Sequence, residues 1–358
     1  MRLEVTPKST QTLYPTDILF QTSFWGRVKS RLGWSVAAFD LALPASEGDV
    51  LVLTKRLDEE SSMVYVPQGP EIGPDSESYG VFLETLSESI SSHLESSAVF
   101  IRYDLPWNDP YALDETGGSP YDLKRPENRL REIRMNYSTR CWNLRKAPYD
   151  LTVADSLVVD ITGTEEEILG RMKPKTRYNI HLSARKGVRV IEADASALPV
   201  FYDLYRQTAA RNGFPSCDYR HFSALFETKV TAANSPGLFF YLAIHKKDAL
   251  AGAIIAISGK RATYLFGASA NHSRNLMSSY AVQWHAIRNA RDQHCSVYDM
   301  GAVSPYRDPD HPFFGMYRFK TGFGGHIEHR VGSWDYPLNQ EKYDSIRNRE
   351  MLRSFLMW

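Results

Sequence analysis

The residues best suited to chemistry are cations set among aromatics and glycines. In Phe319-Lys320-Thr321-Gly322-Phe323-Gly324-Gly325 a lysine lies between aromatic positions. The glycines let backbone approach a ligand closely or take positive φ. A lysine desolvated by such neighbours acts strongly on an oxyanion or a phosphate. The order Gly-x-x-x-x-Gly-Lys-Ser/Thr of a nucleotide-binding loop is absent. A second cluster is RMKPKTRYNIHLSARKGVR (171–189), which carries Arg171, Lys173, Lys175, Arg177, Arg185, Lys186 and Arg189 and no acid. Pro174 suits a helix start and Gly187 its end, so the segment predicts a helix from Pro174 to about Lys186. On it Arg177, His181 and Arg185 fall at i, i+4 and i+8 and share a face suited to a polyanion. The plainer reading is a solvated basic helix docked by Tyr178, Ile180 and Leu182. A third segment, FQTSFWGRVK (20–29), reads as an amphipathic helix with Ser23 at its N-cap and Lys29 facing outward.

Other patterns carry less. His326 and His329 in a strand-like context do not converge on a metal, and no third ligand stands at useful spacing. There is no Gly-x-Ser-x-Gly and no Gly-x-Gly-x-x-Gly after a strand, so neither a serine triad nor a dinucleotide site is expected. Asp104 and Asp299 end corresponding strands and are the carboxylates of interest, although an aspartate there is ordinarily a turn cap.

The elements that must position these groups show a duplicated pattern. Residues 63–66 read as a strand, 81–94 as a helix with Phe82, Leu83, Leu86, Ile90 and Leu94 at helical spacing, and 98–103 as a strand. Residues 262–266, 279–293 and 295–300 repeat strand, helix and strand. Hairpin-like pairs precede each copy: 34–39 with 50–57 about a turn at Ala45–Asp49, and 238–245 with 249–258 about Lys246-Lys247-Asp248. A helix recurs upstream, at 24–31 and 198–212. Residues 129–138 and 149–157 read as strands, and 106–126 as a long surface loop. Thr164 and Glu167 have capping-box spacing. The pattern predicts two similar α/β domains built on mixed sheets, joined near 149–155.

Composition fits this. The chain has 358 residues, with 42 Lys and Arg against 42 Asp and Glu, and 43% hydrophobic residues. Disorder, a membrane-spanning helix and wholesale coating of nucleic acid are not expected. The 3 cysteines are widely spaced and the N-terminal residues lack the apolar core of a secretory signal. Together these point to reduced thiols and a cytoplasmic protein.

The segments FQTSFWGRVKSRLGW (20–34), FIRYDLP (100–106), MKPKTRYNIHLSARKGV (172–188), QTAARNGF (207–214), YLFGAS (264–269), QWHAIRNA (283–290), YDMGAVSP (298–305) and FKTGFGG (319–325) together resemble the Fem family (FemA, FemB and FemX) of non-ribosomal peptidyltransferases. The resemblance implies two tandem acyltransferase domains of the GNAT type. No heptad run long enough for the coiled-coil arm of FemA-like chains is present, so the compact FemX type is the nearer likeness. It implies a first domain over 1–153, completed by 331–358 and binding the acceptor, and a second over 154–330.

By that resemblance the chain moves an amino acid from aminoacyl-tRNA to the stem-peptide amine of a peptidoglycan precursor, UDP-MurNAc-pentapeptide or lipid II. Lys320, with Phe319 beside it, matches the family's functional lysine. Lys29 matches a lysine on the sugar-nucleotide diphosphate, and Arg211 its arginine partner. Tyr264 and Phe266 match an aromatic Tyr-x-Tyr pair, with a hydroxyl missing at the second place. Tyr103 and Asp104 match a substrate-cleft pair, with Asp104 a candidate base. Lys173, Lys175, Arg177, Arg185 and Lys186 would engage tRNA. No cofactor is expected, the chain is expected to be a monomer, and a peripheral contact with a membrane surface is allowed. An acyl-CoA-dependent N-acyltransferase is one alternative, although its Gln/Arg-x-x-Gly-x-Gly/Ala loop is absent. A non-catalytic protein binding precursor or RNA is another.

Overall fold

In the computed structural model, which describes residues 2–112, 125–228 and 235–356, the chain divides into two units. Unit 1 comprises Met1–Tyr14, Phe20–Ala154 and His329–Trp358, and unit 2 comprises Pro15–Leu19 and Asp155–Glu328.

Unit 1 begins with β1 (Glu4–Lys8), α1 (Ser23–Arg31), β2 (Ser35–Leu43), β3 (Ser46–Arg56), β4 (Ser62–Val66), α2 (Tyr79–Ser91), β5 (Ala98–Asn108), α3 (Asn128–Met135) and β6 (Arg145–Lys146). Residues 50–53 of β3 and 63–66 of β4 are buried on both sides because both faces of the sheet are covered. Val50 and Val52 of β3 pack with Phe82, Leu83, Leu86 and Ile90 of α2, whereas Leu51 and Leu53 pack on the opposite face with Tyr343 and Ile346. Strands β4 and β5 run parallel and the connection between them contains α2.

Unit 2 contains β7 (Asp155–Asp160), α4 (Glu165–Arg171), α5 (Pro174–Arg185), β8 (Arg189–Glu192), α6 (Leu198–Asn212), α7 (Tyr219–Glu227), β9 (Gly237–His245), β10 (Asp248–Ser258), β11 (Arg261–Ser269), α8 (Ser278–Asp292), β12 (Val297–Ala302) and α9 (Phe314–Lys320). Its strand order is β8-β9-β10-β11-β12-β7, antiparallel except for the parallel pair β11 and β12. One face is covered by α4, α5 and α8 and the other by α6 and α7. Strand β13 (His326–Pro337) and helix α10 (Gln340–Leu356) then lead back to unit 1. There β13 pairs antiparallel with β5, setting Ser333 opposite Asp104 and Trp334 opposite Tyr103.

The duplication is real at the level of topology. In each unit a hairpin (β2-β3, β9-β10) leads to a strand, a helix and a second strand parallel to the first (β4-α2-β5, β11-α8-β12). Helix α6 has the bounds read from the sequence. The Thr164–Glu167 capping box is formed.

Several local readings change. Residues 129–138 form α3 and its C-terminal turn instead of a strand. Its buried positions, Arg131 and Met135, are spaced by a helical turn, and Leu130, Ile133 and Tyr137 are exposed. Strand β7 starts only at Asp155. The first hairpin turns at Pro44-Ala45, and Ser46, Glu47, Gly48 and Asp49 are already paired with β2. Strand β11 runs through Gly267 to Ser269. Thr22 caps α1, accepting the Trp25 amide at 3.2 Å, in place of Ser23. In the loop at 106–126, Trp107 and Asn108 extend β5, and residues 113–124 lie outside the described residues. The longest helix among the described residues is α10, with 17 residues, and it packs on the unit 1 sheet.

Candidate functional site

Lys320 is the last residue of α9 and is 6% exposed. Its Nζ donates to the Ala302 carbonyl at 2.7 Å and lies 5.9 Å from the centre of the Tyr264 ring. Ala302 ends β12, and the strand is shaped there by Asp299. One Asp299 oxygen accepts the Gly301 amide at 2.8 Å, and the other receives Nη1 of Arg261 at 3.0 Å. Gly301 has φ 70°, which a side chain would strain. Arg261 is held in turn by Glu328 at 2.8 Å. Burial pushes the Lys320 ammonium down to about 8, against the pull of the Asp299 carboxylate. An ammonium so placed has N–H groups beyond the one given to Ala302, and it acts in a poorly screened setting.

Phe319 turns away from Lys320 and packs edge-on against Tyr280 and Phe323, with centroids 5.0 and 5.3 Å apart. Gln283 Oε1 accepts the Tyr298 hydroxyl at 2.9 Å, and burial pushes the Tyr264 hydroxyl up to about 12 against the opposing influence of the Gln283 side chain. The segment 283–290 points to this region, but the Gln283–Tyr298 hydrogen bond is not legible in it.

Tyr264 and Phe266 do not form a pair. A bulge in the β10–β11 ladder aligns Phe266 with Ile254 and Tyr264 with Ile255, leaving Leu265 as the extra residue. That shift sends the two rings to opposite faces. Tyr264 packs with the α8 face, and Phe266 lies 4.9 Å from Phe222 among the α6 and α7 side chains.

Arg211 is engaged within unit 2. It donates to the Ser269 carbonyl at 3.1 Å, to Ser269 Oγ at 2.9 Å and to the Asn271 side chain, fixing the end of β11 against α6.

Helix α5 forms as the sequence predicts, with Pro174 at its first turn. Its cations divide by role. Arg177 donates to the Met172 carbonyl at the C-terminus of α4. Lys173 ties the start of α5 to the turn after Lys320, through Nζ to Thr321 Oγ1 at 3.1 Å and its amide to the Gly322 carbonyl at 2.9 Å. Lys186 reaches the Asn275 carbonyl at 3.1 Å. Lys175 and Arg185 remain exposed, 4.9 and 5.8 Å from the Tyr178 ring.

In unit 1, Lys29 lies over Trp25 and Trp34, 4.9 and 5.2 Å from their centroids. Lys55 of β3 stands 5.5 Å from the same Trp34 ring. Burial first, and then Lys55, push Lys29 down to about 8. Lys55 was missed in the sequence because nothing in its own strand marks it as the neighbour of Lys29.

Tyr103 and Asp104 belong to the unit 1 core. Tyr103 is fully buried, with its hydroxyl 2.8 Å from Ser87 Oγ. Asp104 accepts from the Tyr65 hydroxyl, the Ser333 hydroxyl and the Thr152 amide, the last at 2.7 Å. Burial raises its carboxyl above the usual range. These donors tie β5 to β4, β13 and the segment entering β7, which is the work of a structural carboxylate.

The profile of the FemAB family matches residues 11–232 and 241–349. A lipid II:glycine glycyltransferase of Staphylococcus haemolyticus is 21% identical over 252 residues, which cover 53% of this chain and 60% of that protein. A crystal structure of FemX superimposes with a TM-score of 0.73 over 96% of this chain and 100% of the other, at 17% identity. A tandem GNAT protein from the clavulanic acid biosynthesis pathway gives 0.50 over 94% of this chain and 98% of its own, at 10% identity. These likenesses agree with the repeated mixed-sheet topology of two tandem GNAT-like units. With a profile match over most of its length, set on that duplicated fold, the chain belongs to the FemAB family.

Proposed function

We propose that the protein is an aminoacyltransferase, moving an amino acid from aminoacyl-tRNA to the stem-peptide amine of a peptidoglycan precursor. The observation that carries this reading is the buried Lys320 ammonium, anchored to Ala302 and flanked by Tyr264. Its family context supports the reaction class, and the glycyltransferase relative supports a lipid-linked acceptor.

In the reaction the amine nitrogen attacks the ester carbonyl carbon at the 3′-terminal adenosine. Negative charge gathers on the carbonyl oxygen, the carbon–oxygen bond to the ribose breaks, and an amide remains. The amine loses a proton and the leaving ribose oxygen gains one, with ribose or phosphate of the tRNA as carrier. Asp104 is assigned to the core in place of the base, because hydroxyl and amide donors already occupy its carboxylate. Lys320 offers its remaining N–H groups to the developing oxyanion, a contribution commonly worth about 3–4 kcal/mol. Phe319 acts by fixing the end of α9 through Tyr280 and Phe323. Lys29 receives the acceptor diphosphate beside Lys55, and Arg211 shapes the end of β11. Lys175 and Arg185 meet the tRNA acceptor arm, while Lys173, Arg177 and Lys186 hold α5 in place.

Lys320→Met tests the assignment. Transfer should fall by about a hundredfold or more. Because the buried ammonium is disfavoured in the folded state, the variant should melt at or above the wild-type temperature at pH 7, with the relief of burial worth up to about 3 kcal/mol. Near-normal turnover in a folded variant would remove Lys320 from the mechanism. Mass spectrometry of precursor incubated with charged tRNA pools identifies the amino acid transferred, and bound CoA in the purified protein would favour the acyl-CoA reaction instead.

A further inference from the structure

Helix α3 is inside out. Of its 8 residues, Arg131 and Met135 are buried, and Arg131 donates from Nη2 to the Val331 carbonyl at 3.0 Å. Leu130 and Ile133 are 42% and 46% exposed, and Tyr137, just beyond the helix, is 69% exposed. At about 100° per residue these three share one face. Arg134 falls on that face and Arg129 at its edge, and both are exposed. The loop that follows is folded back by Asn136, which exchanges hydrogen bonds with the Leu144 amide and carbonyl at 2.9 and 2.8 Å. That loop carries Trp142, exposed and with φ 49°.

A helix that hides an arginine and displays leucine, isoleucine and tyrosine gains nothing from water on the displayed side. We propose that this face of unit 1 docks on an anionic lipid bilayer surface. Leu130, Ile133 and Tyr137 enter the interface, and Arg129 and Arg134 meet lipid phosphates. Aliphatic and aromatic side chains bordered by arginines are the composition of interfacial helices. The same arginines disfavour a second copy of the chain, since a two-fold contact through this face would set them near their own symmetry mates. The contact is peripheral, because among the described residues no helix is long and apolar enough to cross a membrane. The inference goes beyond the transfer reaction and stands on α3 and its following loop.

The test is flotation of the full chain with phosphatidylcholine vesicles, with and without phosphatidylglycerol. The wild type should float with the phosphatidylglycerol vesicles and release them at high salt. The combined Leu130→Ser, Ile133→Ser and Tyr137→Ser variant should bind about tenfold less. Arg129→Gln with Arg134→Gln should lose the preference for phosphatidylglycerol. Circular dichroism should show all variants folded, and transfer to a soluble precursor should be unchanged. Three outcomes overturn the proposal: no flotation of the wild type with phosphatidylglycerol vesicles, equal flotation of the serine variant, or a wild-type dimer in light scattering that the serine substitutions dissolve. Since transfer to a soluble acceptor is read separately, failure of membrane docking and failure of the transferase reading give different results.

Discussion

Asp299 accepts the Gly301 amide at 2.8 Å, and the turn it fixes leads to the Ala302 carbonyl that receives Lys320. The same carboxylate therefore sets the geometry of the ammonium's anchor and holds its charge. Lys320 titrates near 8, so a rate carried by the ammonium form is present below that pH and lost as pH rises through it. Asp299→Asn keeps an oxygen for the Gly301 amide and removes the charge. The alkaline limb of kcat/KM should move to lower pH, with the folded state retained. An unmoved limb would detach Asp299 from the titration of Lys320.

The two aromatic positions of β11 should respond oppositely to exchange. Phe266→Tyr places a hydroxyl among Phe222, Tyr205 and their neighbours, and should destabilise by about 1–3 kcal/mol without raising activity. Tyr264→Phe removes the hydroxyl of the ring beside Lys320, and should lower kcat with a smaller change in melting temperature. Thermal melts and steady-state kinetics on the pair separate the two roles.

Lys29 and Lys55 face one tryptophan ring, and burial and Lys55 are what act on the Lys29 ammonium. Two neighbouring cations suit a doubly charged diphosphate. Lys29→Ala should raise KM for a diphosphate-bearing acceptor by about tenfold, with kcat at saturation nearly unchanged. Lys55→Ala should raise it less, and should let the Lys29 ammonium titrate at higher pH. Acceptor titrations at several salt concentrations check both.

On α5, hydrogen bonding to the rest of the fold separates support from binding. Lys175→Glu with Arg185→Glu should weaken tRNA binding and flatten the slope of log K against log salt by about 1–2. Arg177→Ala should instead lower the melting temperature, because its guanidinium closes the end of α4. If the double reversal leaves the slope intact, this face of α5 is solvated only.

Much of this architecture is local and so legible in the chain itself. Pro174 and Gly187 bracket α5, and Thr164 and Glu167 box the start of α4. What escaped depends on distant partners or on single-residue shifts. Asp104 resembles a cleft carboxylate until Ser333, over two hundred residues away, is seen to donate to it. The separation of Tyr264 from Phe266 rests on one extra residue in a ladder, which no period-two pattern reveals. Helix α3 defies its pattern because Leu130 and Ile133 lie on its outer face while Arg131 joins Met135 inside.

Arg102 lies wholly inside unit 1, where Asp335 grips it from Nε and Nη2 at 2.6 and 2.8 Å and Glu350 adds a second carboxylate. Both acids are translated after all of unit 2. A nascent chain therefore carries an orphan guanidinium and an open sheet edge at β5 while the later domain emerges from the ribosome and becomes able to fold. The first half to be synthesised is the last to close.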